Sequence, residues 1–161
     1  MTKIIFKIVI LLFVILPIAT IVAGQAGLFN GKRPIDLGLR DGKLKAPLVE
    51  SSNSISSQAA LHPHSDYHII APITYRGDGK TAFVKLTNIV RSMNNTTVIT
   101  VEPTYLYAEF RSWLLKFTDD VEFALDEQAG VINMRSASRL GKNDFGTNRK
   151  RLEAIRAAFE S

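Results

Sequence analysis

Three carboxylates crowd the segment Thr118-Asp119-Asp120-Val121-Glu122, the densest acidic cluster in the chain. General acid–base catalysis needs paired carboxylates whose surroundings push their pKa values apart. Asp119 and Asp120 are therefore the candidate general bases of a hydrolase-like enzyme. Downstream lies Arg135-Ser136-Ala137-Ser138-Arg139, followed by Gly141, Asp144, Gly146, Asn148, Arg149 and Arg151. Arginines among small hydroxyl and glycine residues suit an anion, because the planar guanidinium fork matches carboxylate and phosphate. A helix starting near Thr147 would add backbone donors.

Strand register offers a structural reading of the same residues. If Leu125 opposes Ile132 and Phe123 opposes Met134, the apolar sets share one face. Glu122 then faces Arg135, and Thr118 faces Arg139. Opposite charges paired across strands contribute about 0.2–1 kcal/mol. The same parity sets Asp119 on the apolar face opposite Ser138. A carboxylate there needs partners, since an unpaired one costs several kcal/mol. Ser138, a backbone amide or Arg149 could supply them. The expected ligand site is the place where Asp119, Asp120, Arg135, Ser138, Arg139 and Arg149 converge. One carboxylate would orient an arginine and leave a second arginine for an anion.

Other motifs carry less. Gly77-Asp78-Gly79-Lys80-Thr81 resembles the tail of a phosphate loop, but the glycine required five residues before Gly79 is Thr74. A turn feeding a helix is the better reading. Arg76-Gly77-Asp78 matches an adhesion tripeptide by coincidence. Asn94 and Asn95 fit a glycosylation pattern that matters only in a eukaryotic secretory path. His62, His64 and His68 are close in sequence, yet Pro63 separates two of them and only Asp66 is a nearby carboxylate. A structural role is favoured over a metal site, and neither a metal nor a cofactor is expected.

Periodicity supplies the elements that must position these groups. Residues 68–73 read as an edge strand. Phe83, Leu86, Ile89, Val90 and Met93 recur at three- and four-residue steps, which predicts an amphipathic helix over residues 81–93. Strands are predicted over residues 96–101, 105–110, 117–125 and 131–138, with Glu127-Gln128-Ala129-Gly130 as a hairpin loop. A closing helix spans residues 147–159, with Leu152, Ile155 and Phe159 as its stripe. The fold class is α+β: an antiparallel meander covered on one face by two helices. The other face would hold the polar alternates.

Lys7 is the only charge in the apolar run of residues 4–23. Twenty residues at helical rise are about 30 Å, the hydrocarbon thickness of a bilayer. The run is apolar on every face, which argues against a core helix. It reads as a retained anchor in preference to a cleaved signal, for which Gly24-Gln25-Ala26 would be the cleavage site. Lys3 and Lys7 favour a cytoplasmic N-terminus, although Lys32 and Arg33 blunt that bias. The chain is thus divided into a segment 1–26, an extended lead-in 27–66 rich in Gly, Pro, Ser and Asn, and a small domain 67–161. The expected location is a bacterial inner membrane, single-pass, with the domain in the periplasm.

The 161 residues are 46% hydrophobic and 22% charged, with a net charge of +5. Basic residues are interleaved with acids except near the C-terminus, so nucleic acid is not an expected partner. The absence of cysteine excludes disulfides, thiolate metal sites and a lipoprotein anchor.

Arg33-Pro34, Leu37-Gly38, Arg40-Asp41-Gly42, Asn53, Ser56-Ser57-Gln58-Ala59, Glu109-Phe110-Arg111-Ser112, Phe117, Asp119-Asp120-Val121-Glu122-Phe123, Arg135-Ser136-Ala137-Ser138-Arg139 and Asn148-Arg149 occur in order. On these residues the chain resembles the bacterial family called domain of unknown function 1499, over roughly residues 28–160. The resemblance implies a fold, an N-terminal membrane or signal segment, and no established activity. The Ser-rich stretch 51–57 could be a flexible linker or an ordered loop laid on the domain, and the resemblance favours the ordered loop. Members often carry a cysteine just before the Ser-Ser-Gln run, where this chain has Ser54, so a thiol there is not needed. Two functions follow as expectations. The favoured one is a non-enzymatic envelope domain that binds an anionic group, either a lipid headgroup or a partner's acidic segment. The alternative is a hydrolase using Asp119 or Asp120.

Overall fold

The computed structural model of the chain describes residues 2–161. It begins with α1 (Thr2–Gln25), a helix with Pro17 inside it. The span Phe6–Gln25 is long and apolar enough to cross a membrane, and only its last turns touch the rest of the chain, where Gly24 is buried. Then come β1 (Ser54–Ser56), β2 (Ile73–Thr74), α2 (Gly79–Ser92), β3 (Thr96–Val101), β4 (Tyr105–Arg111), β5 (Thr118–Asp126), β6 (Val131–Ser138) and α3 (Thr147–Glu160).

The sheet is antiparallel in the order β1-β6-β5-β4-β3, with β2 also on β6. The meander from β3 to β6 matches the expected α+β architecture. Its last hairpin has the expected register: Glu122 opposes Arg135, Phe123 opposes Met134 and Leu125 opposes Ile132. The turn works because Asp126 Oδ1 accepts the Ala129 amide at 2.9 Å and Gly130 supplies a positive φ of 67°.

Alternation sends Leu106, Ala108, Phe110, Val121 and Phe123 to one face. There they meet Phe83, Leu86 and Val90 of α2 and Leu152, Ile155 and Phe159 of α3 in a single cluster. Full burial of each such side chain contributes about 1.5–3 kcal/mol. Asp78 caps α2 by accepting the Thr81 amide at 2.8 Å and its hydroxyl at 2.7 Å. The Gly77–Thr81 motif is therefore a helix entry, as expected.

Two expectations change. The strand expected over residues 68–73 does not form as one element: His68 ends a 3-10 turn (Asp66–His68), Ile69 makes an isolated bridge to Ser56, and only Ile73 belongs to the two-residue β2. His68 is buried in that turn, with Nδ1 taking the Ser65 amide at 3.0 Å and Nε2 at 2.8 Å from the Ser51 carbonyl. The second change is an extra strand. The Ser-rich stretch supplies β1, paired with β6 as Ser54↔Ala137, Ile55↔Ser136 and Ser56↔Arg135. Three residues of mostly serine have no readable period. They are extended because an open edge of β6 offers ladder partners.

The lead-in does more than connect. Residues around Leu37 and Leu44 lie over the sheet face opposite the helices, where Leu44 packs with Tyr105, Tyr107 and Ala124. The face expected to hold the polar alternates is consequently a buried interior.

Candidate functional site

β4 presents Tyr105, Tyr107 and Glu109 to this second interior, β5 presents Asp120 and Glu122, and β6 presents Arg135. Parity alone places them together. Each is an alternate of an apolar residue that faces the helices.

Glu122 is the first node. It is fully buried and accepts from Arg135 Nη1, the Tyr105 hydroxyl and the Gly38 amide, each at 2.8 Å. A buried carboxylate is tolerable only with such partners. Burial and the neighbouring Glu122 charge push the Tyr105 hydroxyl up, so it stays a donor.

The second node joins Asp120, Glu109 and Arg139. Arg139 donates from Nε to both Asp120 oxygens at 3.1 and 3.0 Å. Its Nη2 reaches Asp120 Oδ1 at 2.7 Å and Glu109 Oε1 at 2.5 Å. The Tyr107 hydroxyl donates to Asp120 Oδ1 at 2.6 Å. Arg33, from the lead-in, donates to Glu109 Oε1 from Nη2 at 2.5 Å. Burial by itself would raise the Glu109 pKa. The hydrogen bonds from Arg139 and Arg33 outweigh it and hold the carboxyl at about 2. Burial would lower Arg139, but Asp120 and Glu109 raise it instead.

Asp119 points the other way, toward the helices. Its Oδ2 accepts from Arg151 Nη2 at 2.5 Å. Arg149, the expected partner, is not there: its Nη2 donates to the carbonyls of Tyr67 and Ile69 at 2.7 and 2.9 Å. The correction follows from helical geometry. Two residues along a helix rotate a side chain by roughly 200°, so only one of Arg149 and Arg151 can face the sheet. Ser138 Oγ sits on the Asp119 side, accepting from Asn148 Nδ2 at 3.0 Å. Asn148 is buried, and its own amide is capped by Asp144 Oδ2 at 2.7 Å.

The six expected site residues therefore do not converge on one point. Asp120, Arg135 and Arg139 share the second interior. Asp119 and Ser138 lie across the sheet from them, and Arg149 ties down the 3-10 turn. Residues missed from sequence are Tyr105, Tyr107, Glu109, Arg33 and Ser54. Alternation within β4 marks the first three. Periodicity does not mark the last two, which reach the site by long-range folding; the family resemblance alone draws notice to Arg33 and to position 54.

A cavity of about 350 Å³ opens beside the second node, with Lys32, Lys45, Ser54, Asp120, Arg135 and Arg139 among its walls. Arg135 is 5% exposed and Ser54 3%. Arg135 Nε and Ser54 Oγ, both fully enclosed, have no hydrogen-bond partner among the described residues. Buried donors are normally satisfied, and of the four buried side-chain atoms without a partner among the described residues, these two belong to one cavity wall. The histidines do not form a comparable centre, and among the described residues no cluster of His, Asp or Glu has the arrangement of a metal site.

Helix layer, antiparallel sheet and lead-in strap, with a buried arginine–carboxylate network under the strap, define an α+β domain attached to an N-terminal apolar helix. The chain belongs to the family described as protein of unknown function (DUF1499), whose model matches residues 46–159. No curated protein matches the chain.

Proposed function

We propose that this is a single-pass, membrane-anchored envelope protein whose domain binds an anionic group without catalysis. The carrying observation is the pair of enclosed, unpartnered donors, Arg135 Nε and Ser54 Oγ, in a cavity that also has Lys32, Lys45 and Arg139 in its walls. A phosphate or carboxylate entering the cavity would meet Lys32, Lys45 and Arg139, and a small shift of the Arg135 and Ser54 side chains would bring their free donors to it. Arg135 is already oriented by Glu122, so the ligand meets a guanidinium that has lost its freedom in advance. The hydrolase reading has less support, because Asp120 is saturated by Arg139 and Tyr107, and Asp119 is held by Arg151.

Anchoring is supported by the way α1 ends. Gly24 packs flush on the Leu115 backbone, and Gln25 Nε2 donates to the Leu114 carbonyl at 2.9 Å. Such joints tie the helix end to the domain for as long as the helix is retained. Lys3 and Lys7 at its start favour a cytoplasmic N-terminus and a periplasmic domain in a bacterial inner membrane.

The test is a titration of the full chain in detergent micelles with inorganic phosphate, glycerol phosphate and an acidic peptide, read by calorimetry. Binding is expected for one of the three, weakened about tenfold or more by Ser54→Ala, which deletes one hydrogen bond to a charged group. Lys32→Ala should weaken it further with salt-dependent strength. No heat with any of the three, or affinity indifferent to both substitutions, removes the proposal.

A further inference from the structure

The loop between β4 and β5, residues 112–117, is where the domain meets the end of α1. Gly24 admits no side chain there, since a Cβ would lie 2.5 Å from the Leu115 carbonyl oxygen. Gln25 is bonded to the Leu114 carbonyl. Past the helix, Phe29 stacks on Phe117 with ring centroids 5.2 Å apart, and Gly31 abuts Arg139 and Leu140. The helix end is thus fixed to this side of the domain at several points.

The same side is unusually apolar for a surface. Trp113 is 74% exposed, Leu28 68% and Phe145 87%. Leu114 and Leu140 are also exposed. Phe117, Leu140 and Phe145 line one cavity mouth of about 350 Å³, so they are neighbours and not scattered points. Contiguous exposed apolar surface calls for a partner. The occupant is indicated by continuity. Leu114 and Leu115, next to Trp113 in the chain, touch the last turn of a helix whose apolar span ends at Gln25. That is the depth at which a spanning helix leaves the hydrocarbon. Trp is enriched at that level, with its ring in the headgroup region. Lys116 and Lys142 stand in the same two loops and can meet anionic headgroups.

We infer that this face, centred on Trp113 and Leu114 and extended by Leu28, Phe117, Leu140 and Phe145, lies on the lipid surface and seats the domain against the bilayer. The inference rests on α1 spanning the membrane. The domain then does not swing on a tether. Its orientation is set by two attachments, the helix end and the aromatic loop.

Trp113 is the sole tryptophan, so the protein reports on its own seat. The full chain is reconstituted into phosphatidylethanolamine–phosphatidylglycerol vesicles, with and without bromine near the carbonyl end of the acyl chains. Insertion is scored separately by flotation in alkaline carbonate. Expected are a blue-shifted Trp113 emission, most of which is lost with brominated lipid, and carbonate-resistant flotation. A variant moving the reporter, Trp113→Phe with Phe145→Trp, should be quenched in the same way. Leu114→Glu should return the emission toward that of water-exposed tryptophan while flotation is unchanged. Protein that floats but emits unquenched in both reporter positions overturns the seat and leaves the spanning helix standing. Protein that does not float overturns both.

Discussion

Replacing Glu109 by Gln keeps the shape of the second node and removes its charge. Glu109 is a buried carboxylate held at about 2 by Arg139 and Arg33, against an ordinary value of 4.5. Moving a carboxyl that far is worth about 3 kcal/mol at roughly 1.4 kcal/mol per pH unit. Most of this belongs to Arg139, whose side chain is buried, because the Arg33 side chain is half exposed and water screens its contribution. Above pH 4.5 the residue is ionised whether folded or unfolded, and the stabilisation is fully present. As pH falls from 4.5 toward 2 the unfolded chain takes up the proton first, and the stabilisation is lost. Glu109→Gln lacks the charge at every pH. Thermal unfolding of the full chain in micelles, followed by circular dichroism, should therefore show the variant lower by roughly 6–12 °C at pH 7. The two melting temperatures should converge by about pH 2. A variant within about 2 °C of the parent at neutral pH, or a gap that persists unchanged into acid, refutes the account of this network.

Arg139→Ala leaves Asp120 in the interior without a cation, and Glu109 with only the half-exposed Arg33 and Arg111, so a loss of about 3–5 kcal/mol and a protease-sensitive domain are expected; unaltered protease resistance would contradict this. Arg149→Ala removes the tie to the Tyr67 and Ile69 carbonyls and the guanidinium over the Tyr67 ring. It should cost about 1–2 kcal/mol and leave phosphate binding intact in calorimetry. Gly24→Val puts a side chain into the Leu115 backbone. Spin labels on cysteines placed at Val22 and Trp113, the only thiols in the chain, should then report a broadened distance distribution. Alkaline phosphatase fused after Ser161 should be active, and activity of a cytoplasmic reporter at that position would reverse the topology.

Much of the fold is local and was legible as such. Period-two alternation in Tyr105–Arg111 and Thr118–Asp126 sets which side chains share a face, whatever they pack against. The four-residue loop after β5 then leaves one register that aligns Phe123 with Met134, and that register also brings Glu122 to Arg135. The apolar length of α1 is likewise a property of the chain alone.

The site was legible only in part, because parity says which face a residue takes and not what covers that face. Asp119 on the helix side follows from alternation, but its partner depends on the rotation of α3, which brings Arg151 and carries Arg149 away. Glu109 and Asp120 could be placed side by side on the sheet, yet the cation between them comes from beyond the end of β6, and the second from residue 33 of the lead-in. Ser54 enters the cavity only because β1 adds to the free edge of β6. Composition and periodicity thus determined a spanning-length helix, a four-stranded meander, two covering helices and the face of each strand residue. Tertiary structure alone decided that the polar face is buried, which arginine serves which carboxylate, and where donors are left without partners. Those outcomes depend on contacts between residues tens of positions apart, whose free energies come from burial and charge pairing that no local window contains.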